Sequence, residues 1–144
     1  MNRIRDSFAK QGMMQSFGAQ LCEIAPGRIV ISAPITPAVS QQHGLAHAGL
    51  TFALGDSAAG YSALSLMAEG DEVLTAEMKI NLLAPADGVR LVATGSVVKP
   101  GRRLMVTRAT VETEYADGTR REVAILQGTM VPISGGSLPA GETP

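Results

Sequence analysis

The sequence predicts an α+β domain in which one long central helix is wrapped by a curved antiparallel sheet. Three observations predict it. Leu45 to Met67 is an apolar segment of helical length, rich in Ala, Gly, Leu and Ser, and Asp56 is its only charge. From Val73 to Ile133 the chain reads as strands joined by turn residues, with no helical stretch between them. A helix that is apolar on nearly every side must be covered all round, and a strongly curved antiparallel sheet does so with few elements.

Taken in order, residues 3 to 11 are expected to form a short helix ended by Gly12, followed by the methionine-containing run Met13 to Gly18. Leu21 to Glu23 and Arg28 to Ile35 read as a hairpin around Pro26-Gly27. A loop with Pro34 and Pro37 leads into the long helix, from about His47 to Met67, which Glu69-Gly70-Asp71 stops with a glycine suited to a left-handed residue. Val73 to Leu83 alternates, with Leu74, Ala76, Met78, Ile80 and Leu82 on one side and Thr75, Glu77, Lys79 and Asn81 on the other. Val89 to Val98 follows the turn Pro85 to Gly88, Leu104 to Tyr115 follows Lys99-Pro100-Gly101-Arg102-Arg103, and Thr119 to Ile133 follows Asp117-Gly118. Three such joints in a row predict an antiparallel meander. Ala53, Gly55, Ala58, Ala59 and Gly60 are small enough to let strands approach the helix backbone. The open sheet edge and apolar rim favour pairing with a second copy. Residues 1–133 are thus expected to form a single domain, and the Gly, Pro and Ser-rich segment 134–144 a flexible tail.

Composition narrows the function. The 144 residues suffice for one core without metals or disulfides, and 45% hydrophobic against 17% charged residues is too apolar for disorder. A formal net charge of -1 gives no basis for binding nucleic acid. Cys22 is the only cysteine, so no intramolecular disulfide forms and a reducing compartment fits. Arg3, Arg5, Asp6 and Lys10 interrupt the N-terminal segment where a secretory signal would be apolar. Leu45 to Met67 is long enough to span a bilayer, but a lipid-facing helix would accommodate Asp56 poorly near its middle. The expectation is a cytoplasmic protein with no membrane partner.

Asp56 is the residue to explain. A carboxylate inside an uncharged helix is costly unless it is hydrogen-bonded, paired or neutralised, and such perturbed groups gather at functional sites. It is either a catalytic acid or base, or a satisfied acid that fixes helix orientation. His43 and His47 are four apart and Asp56 is a conceivable third metal ligand, but Gly44 favours a loop there and no further ligand follows at suitable spacing, so no metal is expected. His47 reads as the residue that sets the helix start. Thr75 reads as an ordinary strand hydroxyl on the polar face. The methionines, notably Met13, Met14 and Met67, fill the core or line a pocket.

The residues also carry a resemblance. Gln41-x-x-Gly44-x-x-His47-Ala48-Gly49, Leu54-Gly55-Asp56, the strand Val73 to Ala86 and Val97-Val98-Lys99-Pro100-Gly101-Arg102 together resemble the PaaI-like acyl-CoA thioesterases of the hot-dog superfamily, from about Ser7 to Ile133. The resemblance implies hydrolysis of an acyl-CoA thioester at a homodimer interface, with a homotetramer as the larger alternative. No cofactor is implied, because coenzyme A is part of the substrate. Asp56 takes the position of the general base or nucleophile. The Ala48 N–H, with Gly49 beside it, takes that of the donor that polarises the thioester carbonyl. Gln41 stands where the family often has Asn near the carbonyl or water, and Ala48 replaces the first glycine of the commoner His-Gly-Gly. Thr75 stands where a Ser or Thr contacts the carboxylate or water from the neighbouring subunit. Lys99, Arg102 and Arg103 are either solvated turn charges or partners for the phosphates of coenzyme A. Two other readings remain open: a non-catalytic acyl-CoA binding protein, and a hydratase or dehydratase of the same fold.

Overall fold

The structure is a computed structural model that describes residues 1–134. The tail read from 134 onward falls, from residue 135, outside the described residues. Two short helices, α1 (Asn2–Phe8) and α2 (Gly12–Ser16), precede a hairpin of β1 (Gln20–Ala25) and β2 (Arg28–Pro34), then α3 (Ala48–Leu64) and the strands β3 (Glu72–Leu82), β4 (Arg90–Lys99), β5 (Met105–Glu114) and β6 (Arg120–Ile133). One six-stranded sheet runs in the order β1-β2-β4-β5-β6-β3, every neighbouring pair antiparallel. Its concave face packs on α3, giving the α+β hot-dog arrangement. Among the described residues no helix is long and apolar enough to cross a membrane.

The small residues of α3 act as the sequence indicates. A Cβ built on Gly95 of β4 would lie 2.2 Å from the carbonyl carbon and oxygen of Ala58, so helix and strand meet backbone to backbone. One on Gly55 would lie 2.8 Å from the Leu126 methyls. Around this seam Leu54, Ala58, Ala59, Ile29, Ile31, Leu91, Ala93 and Val111 are buried. Each large buried aliphatic side chain contributes about 1.5–3 kcal/mol of transfer free energy, so the seam anchors α3 firmly.

Several expectations need correction. The first helix ends at Phe8, and Gly12 begins α2 instead of ending a helix over residues 3 to 11, because the chain breaks at Gln11, whose extended backbone brings its amide to Tyr61. Helix α3 stops at Leu64. Gly70 does adopt a left-handed φ of +87°, but in the turn closed by Asp71 N–H on the Ala68 carbonyl, which leads into β3. The helix end is held instead by Arg3, whose guanidinium donates to the carbonyls of Leu64, Met67 and Ala68. The Leu64 carbonyl closes the last turn of α3, the other two follow it, and a cation there complements the negative end of the helix dipole.

The meander is shorter than expected. Of the last four strands only β4, β5 and β6 are consecutive neighbours, while β3 pairs with β6 at the far edge. The segment after β3 makes no tight hairpin. Its Ala86 carbonyl accepts from Ala46 N–H, and its Val89 N–H donates to the Glu114 carbonyl, so the chain crosses the end of the sheet under the loop before α3.

Strand β3 also departs from simple alternation. A bulge between Thr75 and Glu77 changes its register against β6, so Thr75, opposite Met130, shares a face with Ile80, opposite Leu126. Met130 and Leu126 are buried, so this is the helix face. One inserted residue swaps faces along a strand. Leu74 therefore points away from α3 and Thr75 points toward it. Nor is the helix covered all round: Ala48, Gly49 and Phe52 are exposed, and Ala53, Asp56 and Ser57 are half-buried along one stripe.

Candidate active site

The stripe and the bulge meet at Asp56. Thr75 Oγ1 donates a hydrogen bond of 2.8 Å to Asp56 Oδ1. Asp56 Oδ2 takes none from a described residue, and among the described residues no buried side-chain nitrogen or oxygen lacks a partner, so this oxygen faces open space. No described cation pairs with the carboxylate. Burial pushes its pKa up from the ordinary carboxylate value, and the Thr75 hydroxyl pulls it partly back. A half-buried carboxylate with one anchored and one open oxygen is equipped to take a proton from water.

Asp56 and Thr75 line a cavity of about 210 Å³. Its far wall holds residues that sequence reasoning missed. Tyr61 Oη lies 3.2 Å from Ser7 Oγ and accepts from Gln11 Nε2 at 2.9 Å, and Ser57 Oγ donates to Gln11 Oε1 at 3.5 Å. Edge-to-face contact of Phe8 with Tyr61, ring centres 6.0 Å apart, seats α1 against α3. Tyr61 and Ser57 flank Asp56 on the helix and were open to discovery by spacing; Ser7 and Gln11 carry no local signal.

The N-terminus of α3 forms a second group. His47 is the N-cap, and its Nδ1 accepts from Gly49 N–H at 2.8 Å. Leu50 N–H donates to the His47 carbonyl at 3.0 Å, and Ala48 N–H has no acceptor among the described residues. The Gly49 N–H beside it is already taken by the imidazole. Gln41 Oε1 accepts from His43 N–H, within a loop that Gly44 closes at φ +80°. Gln41 and Ala48 share a separate cavity of about 220 Å³ with Thr51, Leu82 and Ala86. His43 lies in this loop and not on a helix face with His47, and among the described residues no three His, Cys, Asp or Glu side chains cluster as metal ligands.

Ala48 and Asp56 stand eight residues apart on α3, about 12 Å along its axis. One thioester carbonyl cannot reach both within a single copy. The basic turn forms a third group: Lys99, Arg102 and Arg103 line a depression of about 800 Å³, with no ion pair to a described residue. Arg102 also borders a 490 Å³ hollow with Leu66, Met67 and Met105, at the C-terminal end of α3 and away from Ala48. Thr75, for which the resemblance implies a contact across subunits, meets Asp56 of its own chain.

Comparison with known proteins adds to this geometry. The thioesterase superfamily profile matches residues 43–116. A thioesterase family protein from Silicibacter pomeroyi is similar at 44% identity, over 92% of this chain and 96% of that one, with a TM-score of 0.89. A thioesterase from Haemophilus influenzae is similar at 16% identity over 96% and 92%, TM-score 0.79. The E. coli PaaI protein from the phenylacetic acid degradation operon is similar at 21% identity over 91% of each chain, TM-score 0.79, which shows the shared fold alone. No curated protein matches the chain.

Proposed function

The chain belongs to the thioesterase superfamily, and from that membership we propose that it hydrolyses small to medium or aryl acyl-CoA thioesters, with Asp56 as general base, in the manner of the PaaI-like enzymes its motifs resemble. The observation that carries this reading is the half-buried Asp56 carboxylate, hydrogen-bonded on one oxygen by Thr75 and open on the other. A base whose pKa is raised toward neutral pH serves proton transfer better than an ordinary carboxylate.

In this mechanism Thr75 holds the carboxylate, and Asp56 takes a proton from water as its oxygen bonds to the thioester carbonyl carbon. The resulting oxyanion is received by Ala48 N–H, the unpaired donor at the positive end of the helix dipole. Collapse breaks the carbon–sulfur bond, and the departing thiolate takes up the proton, leaving a free acid and coenzyme A. Because 12 Å separates base and donor on one helix, the working site joins Asp56 and Thr75 of one copy to Ala48 and Gln41 of a second. The free edge of β3, with Leu74, Leu82 and Leu83 exposed by 38%, 56% and 52%, offers the apolar surface along which that copy lies. His47 sets the helix start and so aims Ala48 N–H. Lys99, Arg102 and Arg103 receive the nucleotide phosphates of coenzyme A. The single, exposed Cys22 suits work in the reducing cytoplasm.

The test is a panel of acyl-CoAs with a thiol-reactive dye. Asp56→Asn is expected to lower kcat by about 10²–10⁴-fold with little change in KM. Wild-type turnover in that variant removes Asp56 from the mechanism. Saturable binding of acyl-CoA without thiol release by the wild type makes the protein an acyl-CoA carrier instead.

A further inference from the structure

Gly60 is the glycine of α3 that packing does not explain. Its helical neighbours Gly49 and Gly55 each have a side chain within 3.0 Å of a built Cβ, whereas a Cβ on Gly60 would meet nothing within 4 Å, although the residue is buried. A glycine inside a helix is less favourable than alanine, and here no neighbouring element demands it. Gly60 lies one turn beyond Asp56 on the same face, and both line the 210 Å³ cavity. The helix thus stays bare at the one place where a methyl group would enter the space next to the catalytic carboxylate.

We propose that this space holds the acyl group of the substrate, that Gly60 sets its depth, and that the acyl groups taken are short ones carrying a neutral hydrogen-bonding group at the far end. This rests on the thioesterase reading and deepens it by naming the substrate class. At about 210 Å³ the space lies below the roughly 300–1,000 Å³ of pockets for drug-sized ligands, which suits a short acyl group. Beyond Gly60 an acyl chain meets Tyr61 Oη, Gln11 and Ser7, whose mutual hydrogen bonds leave further donor and acceptor capacity. An alkyl end there would bury polar groups without partners, and a hydroxyl end would pair with them. The lining that one copy gives this cavity contains Asp56 and Glu72 and no Lys or Arg, so a terminal carboxylate is repelled. Burial also holds the Tyr61 hydroxyl in its neutral form, able to donate as well as accept.

The test compares acetyl-, butyryl-, 4-hydroxybutyryl-, succinyl- and octanoyl-CoA as substrates, and the matching oxoalkyl-CoA thioethers, which cannot be hydrolysed, as ligands. The wild type is expected to favour 4-hydroxybutyryl over butyryl, succinyl and octanoyl by at least about tenfold, in kcat/KM and in affinity. Gly60→Ala is expected to raise the thermal midpoint by about 2–4 °C, because the methyl group enters empty space. Gly60→Val is expected to lower kcat/KM for the longer substrates about tenfold or more relative to acetyl-CoA. Gln11→Met is expected to abolish the preference for the hydroxylated chain over butyryl. A uniform effect of Gly60→Val on all chain lengths overturns the role of Gly60, and a wild type that prefers octanoyl or succinyl overturns the substrate class. If no substrate turns over but the thioethers bind with this order and respond to Gly60→Val, the hydrolysis reading fails and the pocket assignment stands.

Discussion

Removing the Thr75 hydroxyl tests the physical arrangement of the base more sharply than removing the base itself. In Thr75→Val the side-chain volume is kept and the 2.8 Å hydrogen bond to Asp56 Oδ1 is lost. Such a bond to a charged acceptor contributes about 1.5–3 kcal/mol. Thr75 is exposed, so water replaces part of what is lost and the lower end applies. With the carboxylate no longer held in place, kcat/KM on the plateau is expected to fall by up to about tenfold, the stronger basicity of the freed carboxylate offsetting part of the lost positioning. The pH profile carries a second signature. Thr75 donates to the ionised carboxylate and lowers its pKa, against the upward push of burial. Without the hydroxyl, burial acts alone, Asp56 stays protonated to higher pH, and the acid limb of kcat/KM moves to higher pH. The assay is thiol release from a good acyl-CoA across about pH 4 to about pH 9. Thr75→Ser retains the donor and is expected to keep the wild-type limb. An acid limb that stays in place or moves down in Thr75→Val refutes the assignment, as does Thr75→Ser behaving like Thr75→Val.

Two stability outcomes follow from the same contacts. Gly95→Ala drives a Cβ to 2.2 Å from the Ala58 carbonyl, so α3 must shift from β4, costing about 1–3 kcal/mol; calorimetry that finds an unchanged midpoint refutes the backbone contact. The Asp56 carboxyl has a raised pKa in the folded chain, so the stability it contributes is fully present below the ordinary carboxylate value of the unfolded chain and lost as pH rises through the higher folded-state value. Asp56→Asn is therefore expected to melt above the wild type at neutral pH and to lose that advantage at about pH 3; a variant less stable than wild type at neutral pH contradicts the burial argument.

What the sequence made legible was local. The helix around Asp56 stood out by composition, and the small residues at Gly55 and Ala58 announced close strand contact, because each property belongs to one stretch of chain. Strand order did not, since whether the Pro85 segment turns back or crosses the sheet end depends on the Ala86 carbonyl meeting Ala46 N–H, a partner forty residues away. The bulge at Thr75 is likewise unmarked, yet it decides which face that hydroxyl occupies. At the site, Asp56, Thr75 and Ala48 could be named from motifs, but the capture of Gly49 N–H by His47 is a matter of ring orientation. Ser7 and Gln11 reach the Asp56 cavity through tertiary docking of α1, which Arg3 pins to the end of α3.

The claim that base and oxyanion donor come from different copies can be measured by complementation. Ala48 is the first residue of α3 and His47 before it is extended at φ −65°, ψ 141°, so Ala48→Pro deletes the N–H in a position and context that proline accepts. Alone, Ala48→Pro and Asp56→Asn are each expected to lose about 10²-fold or more of kcat. Assemblies containing both variants, co-expressed and purified through two tags, then decide the matter. Up to half of wild-type turnover returns if each site draws Asp56 from one copy and Ala48 from the other, since one of two sites is then intact; turnover no higher than that of the single variants means both groups serve from the same chain and contradicts the account.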